Sequence, residues 1–253
     1  MFFVNLFRKP SCLKKLIRKF KPHMTENLQI KKKYLTYLES FITENKRTLF
    51  DTIIMQRTKY ITLALEDIYQ SQNASAVLRT CDCFGIQDVH IIENRYSYSV
   101  NPDVALGSTK WLNLNKYNKG ENNTLDCYQT LRDQGYRIVA TTPHINDTLL
   151  DELSLDTKIA LVFGTELEGL SDVAIEHADA YVKIPMYGFT ESFNISVSAA
   201  ISLHYLTEKL RKSELNWQLK EEELIDTRLM WAKSAVKHPE AHEKNFMNQE
   251  GLD

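Results

Sequence analysis

The chain has 253 residues, 43% of them hydrophobic, with 31 Lys+Arg against 33 Asp+Glu, 8 Gly, 6 Pro and 4 Cys. These figures fit one or two folded domains and exclude disordered, collagen-like and disulfide-scaffold classes; no run approaches the ~18 apolar residues of a membrane span. The net charge of -2 divides into +7 over residues 1–24, +3 over 25–60, -10 over 61–204 and -2 over 205–253, so a phosphate backbone would be held by the amino-terminal region or by local patches.

In chain order, residues 1–24 form a basic, acid-free leader with Phe2, Phe3, Leu6, Phe7, Leu13, Leu16, Ile17 and Phe20 among its lysines and arginines. That is the composition of a mitochondrial transit peptide, and equally of an unstructured extension ahead of a start at Met24. From 27 to 55 apolar residues recur at three- and four-residue steps (Leu28, Tyr34, Leu35, Leu38, Phe41, Ile42), predicting one or two amphipathic helices. Lys31, Lys32, Lys33, Lys46 and Arg47 cover their other face, as a solvated surface or an RNA contact.

Short β-rich runs follow at 60–65, 88–92, 136–141, 158–163 and 181–186, bounded by Gly, Asp or Pro, with helical stretches at 73–84, about 123–134, about 170–178 and 194–212. Strands alternating with helices predict an α/β fold, a mostly parallel sheet covered on both faces. A further helix is expected after Trp217, through Leu224, Trp231 and Val236. The domain reading is a leader (1–24), an amino-terminal helical extension (25–56), a catalytic domain (57–212) and a carboxyl-terminal helical extension (213–253).

Ordinary nucleotide motifs are missing. No G-x-G occurs, which argues against a Rossmann turn. Gly164 to Gly169 has P-loop spacing, yet Leu170 and Ser171 stand where Lys and Ser or Thr are needed. The histidines, among them His90 and His144, lack metal-ligand spacing, and Cys12, Cys81, Cys83 and Cys127 are too few and irregular for disulfides or zinc, which suggests a reducing compartment.

Three segments place polar groups at strand carboxyl ends, where open α/β sheets bind ligands. The first is 73–85, with Asn73 expected as the helix cap and Arg79 almost two turns in. The second is VFGTELEGL at 162–170, and the third, 184–201, opens with IPMYGFTESFNIS. Taken singly, Arg79 would be a surface ion-pair partner, Glu166 a turn residue, and Ser192 or Asn194 a helix cap.

Together they match, in order, N-x5-R, F-G-x-E-x-x-G-L and I-P-M-x-G-x3-S-x-N-x-S. By these motifs, over roughly residues 57–212, the chain resembles the SPOUT-class RNA methyltransferases of the TrmH type. The resemblance implies an S-adenosylmethionine site in a carboxyl-terminal deep trefoil knot, which periodicity could not suggest, and an obligate homodimer. It implies catalytic roles for Asn73, Arg79, Glu166, Ser192 and Asn194, with Arg79 at the target ribose, and a cofactor pocket lined by Thr141, Gly164, Ile184 and Phe193. Phe193 departs from the leucine of many relatives. The implied reaction is RNA ribose 2′-O-methylation with no metal and no membrane, in the cytoplasm, or in mitochondria if residues 1–24 act as a transit peptide.

An attacking ribose hydroxyl is a weak nucleophile, so its site must remove the proton or stabilise the developing oxyanion. Charge stabilisation suits Arg79 better than base catalysis, because a guanidinium with pKa above ~12 rarely loses its proton. The helical extensions are more similar to the tRNA enzymes that methylate D-loop guanosine 18 than to ribosomal-RNA enzymes with a separate RNA-binding domain. A ribosomal-RNA enzyme of the same fold and a catalytically silent RNA-binding protein are the rivals.

Overall fold

A computed structural model describes residues 27–99, 101–142 and 148–252; the leader, Cys12 and His144 lie outside the described residues. The elements in order are α1 (Leu28–Glu39), α2 (Glu44–Ile54), β1 (Ile61–Glu66), α3 (Ser71–Cys83), β2 (Asp88–Ile92), α4 (Pro102–Ala105), a 3-10 turn (Ser108–Lys110), β3 (Asn113–Tyr117), α5 (Asn123–Asp133), β4 (Tyr136–Thr141), β5 (Thr148–Leu149), β6 (Lys158–Phe163), α6 (Asp172–Glu176), β7 (Ala180–Lys183), α7 (Ile195–Arg211), α8 (Glu221–Ala235) and α9 (Pro239–Glu250). The chain divides into two compact units, one made of the chain up to Ile54 with that from Lys220 onward, the other of Met55–Leu219.

The larger unit is α/β, as the alternating pattern predicts. Its seven strands lie in the order β3-β2-β1-β6-β4-β7-β5, and every pairing is parallel. The central strands are buried on both sides, which is why they read as continuous apolar runs. Successive side chains leave opposite faces of a strand. Ile61, Leu63 and Leu65 of β1, with Ile159 and Leu161 of β6, join Val77 and Leu78 of α3 and Leu203 and Leu206 of α7 in one cluster. Ala64, Ala160 and Val162 join Tyr128 and Leu131 of α5 and Ala174 of α6 in the cluster on the other face.

His90 of β2 is buried in this unit; its Nδ1 lies 2.9 Å from the Tyr117 hydroxyl and its Nε2 has no partner among the described residues. Burial pushes its pKa down to about 4, with nearby Asp88 opposing and Lys59 adding to the effect. The ring is therefore neutral in the native state, whereas the unfolded chain takes up a proton below about pH 6.5. The unfolded state binds more protons between these two values, so stability is present above pH 6.5 and is lost as pH falls toward 4. About 2 kcal/mol should be gone at pH 5 through this group alone. Urea midpoints at pH 7.5 and pH 5 should accordingly differ less in His90→Phe than in the parent protein; an identical difference would refute the assignment.

The smaller unit is helical. Asn27 caps α1, accepting from the backbone of Gln29 at 2.9 Å and of Ile30 at 3.4 Å. Trp231 of α8 is buried against Phe50 of α2, ring centroids 5.4 Å apart, and Arg228 pairs with both Glu39 and Asp51. Lys31 pairs with Asp226 at 2.7 Å, Lys32 with Glu221 at 2.7 Å and Lys33 with Glu250 at 2.6 Å, so this basic run is engaged within its own unit. The helix expected after Trp217 is α8, and beyond it the chain turns at His238, which adopts a positive φ of 55°, into a second helix, α9, opened by Pro239.

Candidate active site

The site lies at the carboxyl ends of β1, β6, β4 and β7. β1 delivers the chain through Asp67 to α3, which begins at Ser71 with Gln70 at its cap position. Asn73 is therefore inside the first turn and is not the cap that its residue type suggested. Its side chain is used across the site instead. The amide donates to Gln70 Oε1 at 3.0 Å and to Glu166 Oε1, and the carbonyl oxygen accepts from Asn194 Nδ2 at 3.2 Å.

Glu166 sits on a tight turn after β6. Thr165 and Gly169 exchange backbone hydrogen bonds of 2.9 and 3.0 Å, with Gly169 at φ 73°, a conformation glycine adopts without strain. Gly164 must also be glycine, since a Cβ there would lie 2.1 Å from the Gly169 carbonyl oxygen. The chain after the turn is anchored by Glu66, 2% exposed at the end of β1. Its carboxylate accepts from Ser171 N at 2.9 Å, Ser171 Oγ at 2.8 Å and Thr124 Oγ1 at 2.5 Å.

Asn194 is the N-cap of α7, its Oδ1 accepting from Ser196 N at 2.9 Å and from Ser196 Oγ at 2.6 Å. One residue thus caps a helix and joins the site, while exposed Ser192 stands on the loop before it. All three sequence motifs therefore meet at Asn73.

Beside this junction is a cleft of about 360 Å³, within the range of small-molecule sites. Thr141, Gly164, Ile184 and Phe193 all line it, as do Glu166 and Ser192. Its walls mix apolar side chains such as Phe163 and Val182 with the hydroxyls of Ser198 and Ser202 on α7. Asn73, Asn194 and Arg79 are not among its walls. Arg79 is exposed on α3, and six residues of helix turn its side chain to a different face from that of Asn73. Among the described residues no hydrogen bond or ion pair engages its guanidinium, which removes the default reading of a surface ion pair.

Glu66, Asp67, Ser198 and Ser202 escaped the sequence reading. An acidic pair closing an otherwise apolar strand was the available signal for the first two. Small hydroxyl residues spaced four apart on the helix that follows the third motif were a weaker one for the others. Among the described residues no group of three or more His, Cys, Asp or Glu is placed to hold a metal ion, and no helix is long and apolar enough to cross a membrane.

Comparison with known proteins supplies independent findings. The model of the SpoU rRNA Methylase family matches residues 60–204. A tRNA (guanosine(18)-2′-O)-methyltransferase of Borreliella burgdorferi is 45% identical over 206 residues, covering 81% of this chain and 93% of the relative. One from Thermus thermophilus is 30% identical over 161 residues, covering 64% and 81%. The crystal structure of the Aquifex aeolicus TrmH/SpoU tRNA modifying enzyme superposes with a TM-score of 0.68 at 26% identity, covering 77% of this chain and 98% of that one.

Proposed function

The chain belongs to the SpoU rRNA methylase family, and on that premise we propose that it is an S-adenosylmethionine-dependent RNA ribose 2′-O-methyltransferase acting on guanosine 18 of tRNA. The observation that carries the reading is the meeting of Asn73, Glu166 and Asn194 at the edge of a cleft of cofactor size. The cleft's residues fit S-adenosylmethionine: the side chains of Ile184, Phe193 and Val182 offer apolar faces to an adenine ring, and Ser192, Ser198 and Glu191 offer partners to hydroxyl and ammonium groups. When bound, that cofactor supplies an electrophilic methyl group on a sulfonium whose leaving group departs neutral.

The chain's residues would then manage the ribose hydroxyl. Arg79, exposed and unpaired among the described residues, would hold RNA phosphate and stabilise the alkoxide as it develops. Asn73, fixed by Glu166 and Asn194, orients the rim against which the nucleotide is placed. Ser192, which lines the cleft, would hydrogen-bond either the sugar or the cofactor.

The choice of tRNA rests on the activity carried in the names of the relatives. A homodimer is supported by apolar side chains left exposed on α7, Val197 at 42% and Tyr205 at 39%. The proposed location is the cytoplasm, where unmodified tRNA is met.

The test is label transfer from tritiated S-adenosylmethionine to tRNA transcripts carrying either guanosine or 2′-deoxyguanosine at position 18. Label should enter the first and not the second. Equal labelling of both, or labelling of ribosomal RNA alone, would overturn the assignment.

A further inference from the structure

Two exposed tyrosines stand beside the catalytic junction without a role in it. Tyr69 follows β1 and is 69% exposed, and Tyr96 follows the adjacent strand β2 and is 40% exposed. Their rings meet edge to face with centroids 5.4 Å apart. The loops that carry them are not loose. Buried Asp67, itself held at φ 53°, accepts backbone N–H groups from Asn94 at 2.7 Å, Arg95 at 2.8 Å and Tyr96 at 3.3 Å. That conformation is uncommon outside glycine and is tolerated best by Asn and Asp, so an aspartate here both turns the chain and fixes the neighbouring loop.

The pair is also continuous with the site. Tyr69 immediately precedes Gln70, which accepts the Asn73 amide. The Arg95 guanidinium lies 5.8 Å from the Tyr96 ring centroid and donates to Glu168 at 2.6 Å, on the same turn that carries Glu166. A rigid pair of aromatic rings with a guanidinium alongside, open to solvent at the edge of a nucleic-acid site, has the makings of a stacking surface for an unstacked base. Two rings are too small for a protein interface; because they meet edge to face, at 64°, a nucleobase would stack on the face of one ring while the other braces it.

We infer that Tyr69 and Tyr96 form a stacking platform for an unpaired base of the RNA loop, next in sequence to the methylated nucleotide. The inference rests on the RNA methyltransferase reading and adds a subsite to it. Bases in loops can be splayed out and stacked on tyrosine without regard to their hydrogen-bonding edges, so the platform would hold the loop open and would not read its sequence.

The experiment uses the full chain and tRNA transcripts bearing 2-aminopurine at the nucleotide on either side of guanosine 18. In the wild-type protein with S-adenosylhomocysteine, one of the two probes should be quenched on binding. Tyr69→Ala and Tyr96→Ala should each abolish most of that quenching and raise KM for tRNA roughly 5- to 50-fold, with the effect on KM exceeding that on kcat. Their affinity for S-adenosylhomocysteine, measured by calorimetry, should not change, which shows that the truncated proteins are folded. Tyr69→Phe keeps the ring and should recover the quenching. Undiminished quenching and unchanged KM in both alanine variants, while wild-type protein labels the transcript, would overturn the platform alone, as would dissociation of the variants into monomers on sedimentation. Failure of wild-type protein to label any tRNA would overturn the underlying reading and the platform with it.

Discussion

Arg79→Ala should lower the rate of methyl transfer at saturating tRNA and S-adenosylmethionine by on the order of 10²- to 10³-fold, the effect of removing one donor from an oxyanion-stabilising site. Binding of S-adenosylhomocysteine should be preserved, because Arg79 is not a wall of the cleft. Protein stability should change little, since the side chain is exposed and makes no ion pair among the described residues. Arg79→Lys separates two accounts of its role. Substantial residual activity would favour simple charge stabilisation, because lysine keeps the charge and loses the planar fork. Single-turnover rates with both ligands saturating, set beside calorimetric affinities, provide the check; an alanine variant within a few-fold of wild type would remove Arg79 from the mechanism.

The second large effect is expected at Gly164. A methyl group there would meet the Gly169 carbonyl oxygen at 2.1 Å, the Gly169 carbonyl carbon at 2.2 Å and Leu170 N at 2.3 Å. All three are backbone atoms, so no side chain can rotate away. The turn must open, and with it the hydrogen bonds between Thr165 and Gly169 that set Glu166 toward Asn73. Gly164→Ala should therefore cost about 3 kcal/mol or more in unfolding free energy, at the upper end of overpacking penalties. It should also weaken S-adenosylhomocysteine binding by at least roughly tenfold, since both sides of the turn line the cleft. Gly188→Ala is the contrasting substitution. Its Cβ would find nothing nearer than Thr190 N at 4.0 Å, and its stability should shift by no more than about 0.5 kcal/mol. Denaturant unfolding of the two variants in parallel decides the matter, and equal stabilities would show that the turn yields easily.

What the sequence discloses follows from how each segment is buried. β1 is buried at every position and β6 at all but its first, so both appear as unbroken apolar runs. β3 (Asn113–Tyr117) is an edge strand with no fully buried residue, and its Asn and Lys residues conceal it. β5 has only two residues, too few for any periodicity. The start of α3 was misplaced by two residues because Gln70 is not a capping type, and the nearby Asn73 is one. The candidate site was legible as three motifs, through their resemblance to a family, but not as a network. Nothing in the spacing of Asn73, Glu166 and Asn194 says that one asparagine amide bonds to two of them. Glu66 and Asp67 were hidden for another reason: acids at a strand end read as the beginning of a solvated loop, whereas here both are buried and hold neighbouring loops through backbone N–H groups and hydroxyls.

The junction at Asn73 also has a temporal meaning. Its partners Glu166 and Asn194 lie 93 and 121 residues further along the chain. Bonds of such long range close large loops, and their closure entropy must be met before any of them is rewarded. Helices such as α3 can form early from local contacts, but the Asn73 network exists only when the segments that follow the first and the last strand have docked. The Asn73 network is thus expected to close late in folding, with the completion of the α/β unit.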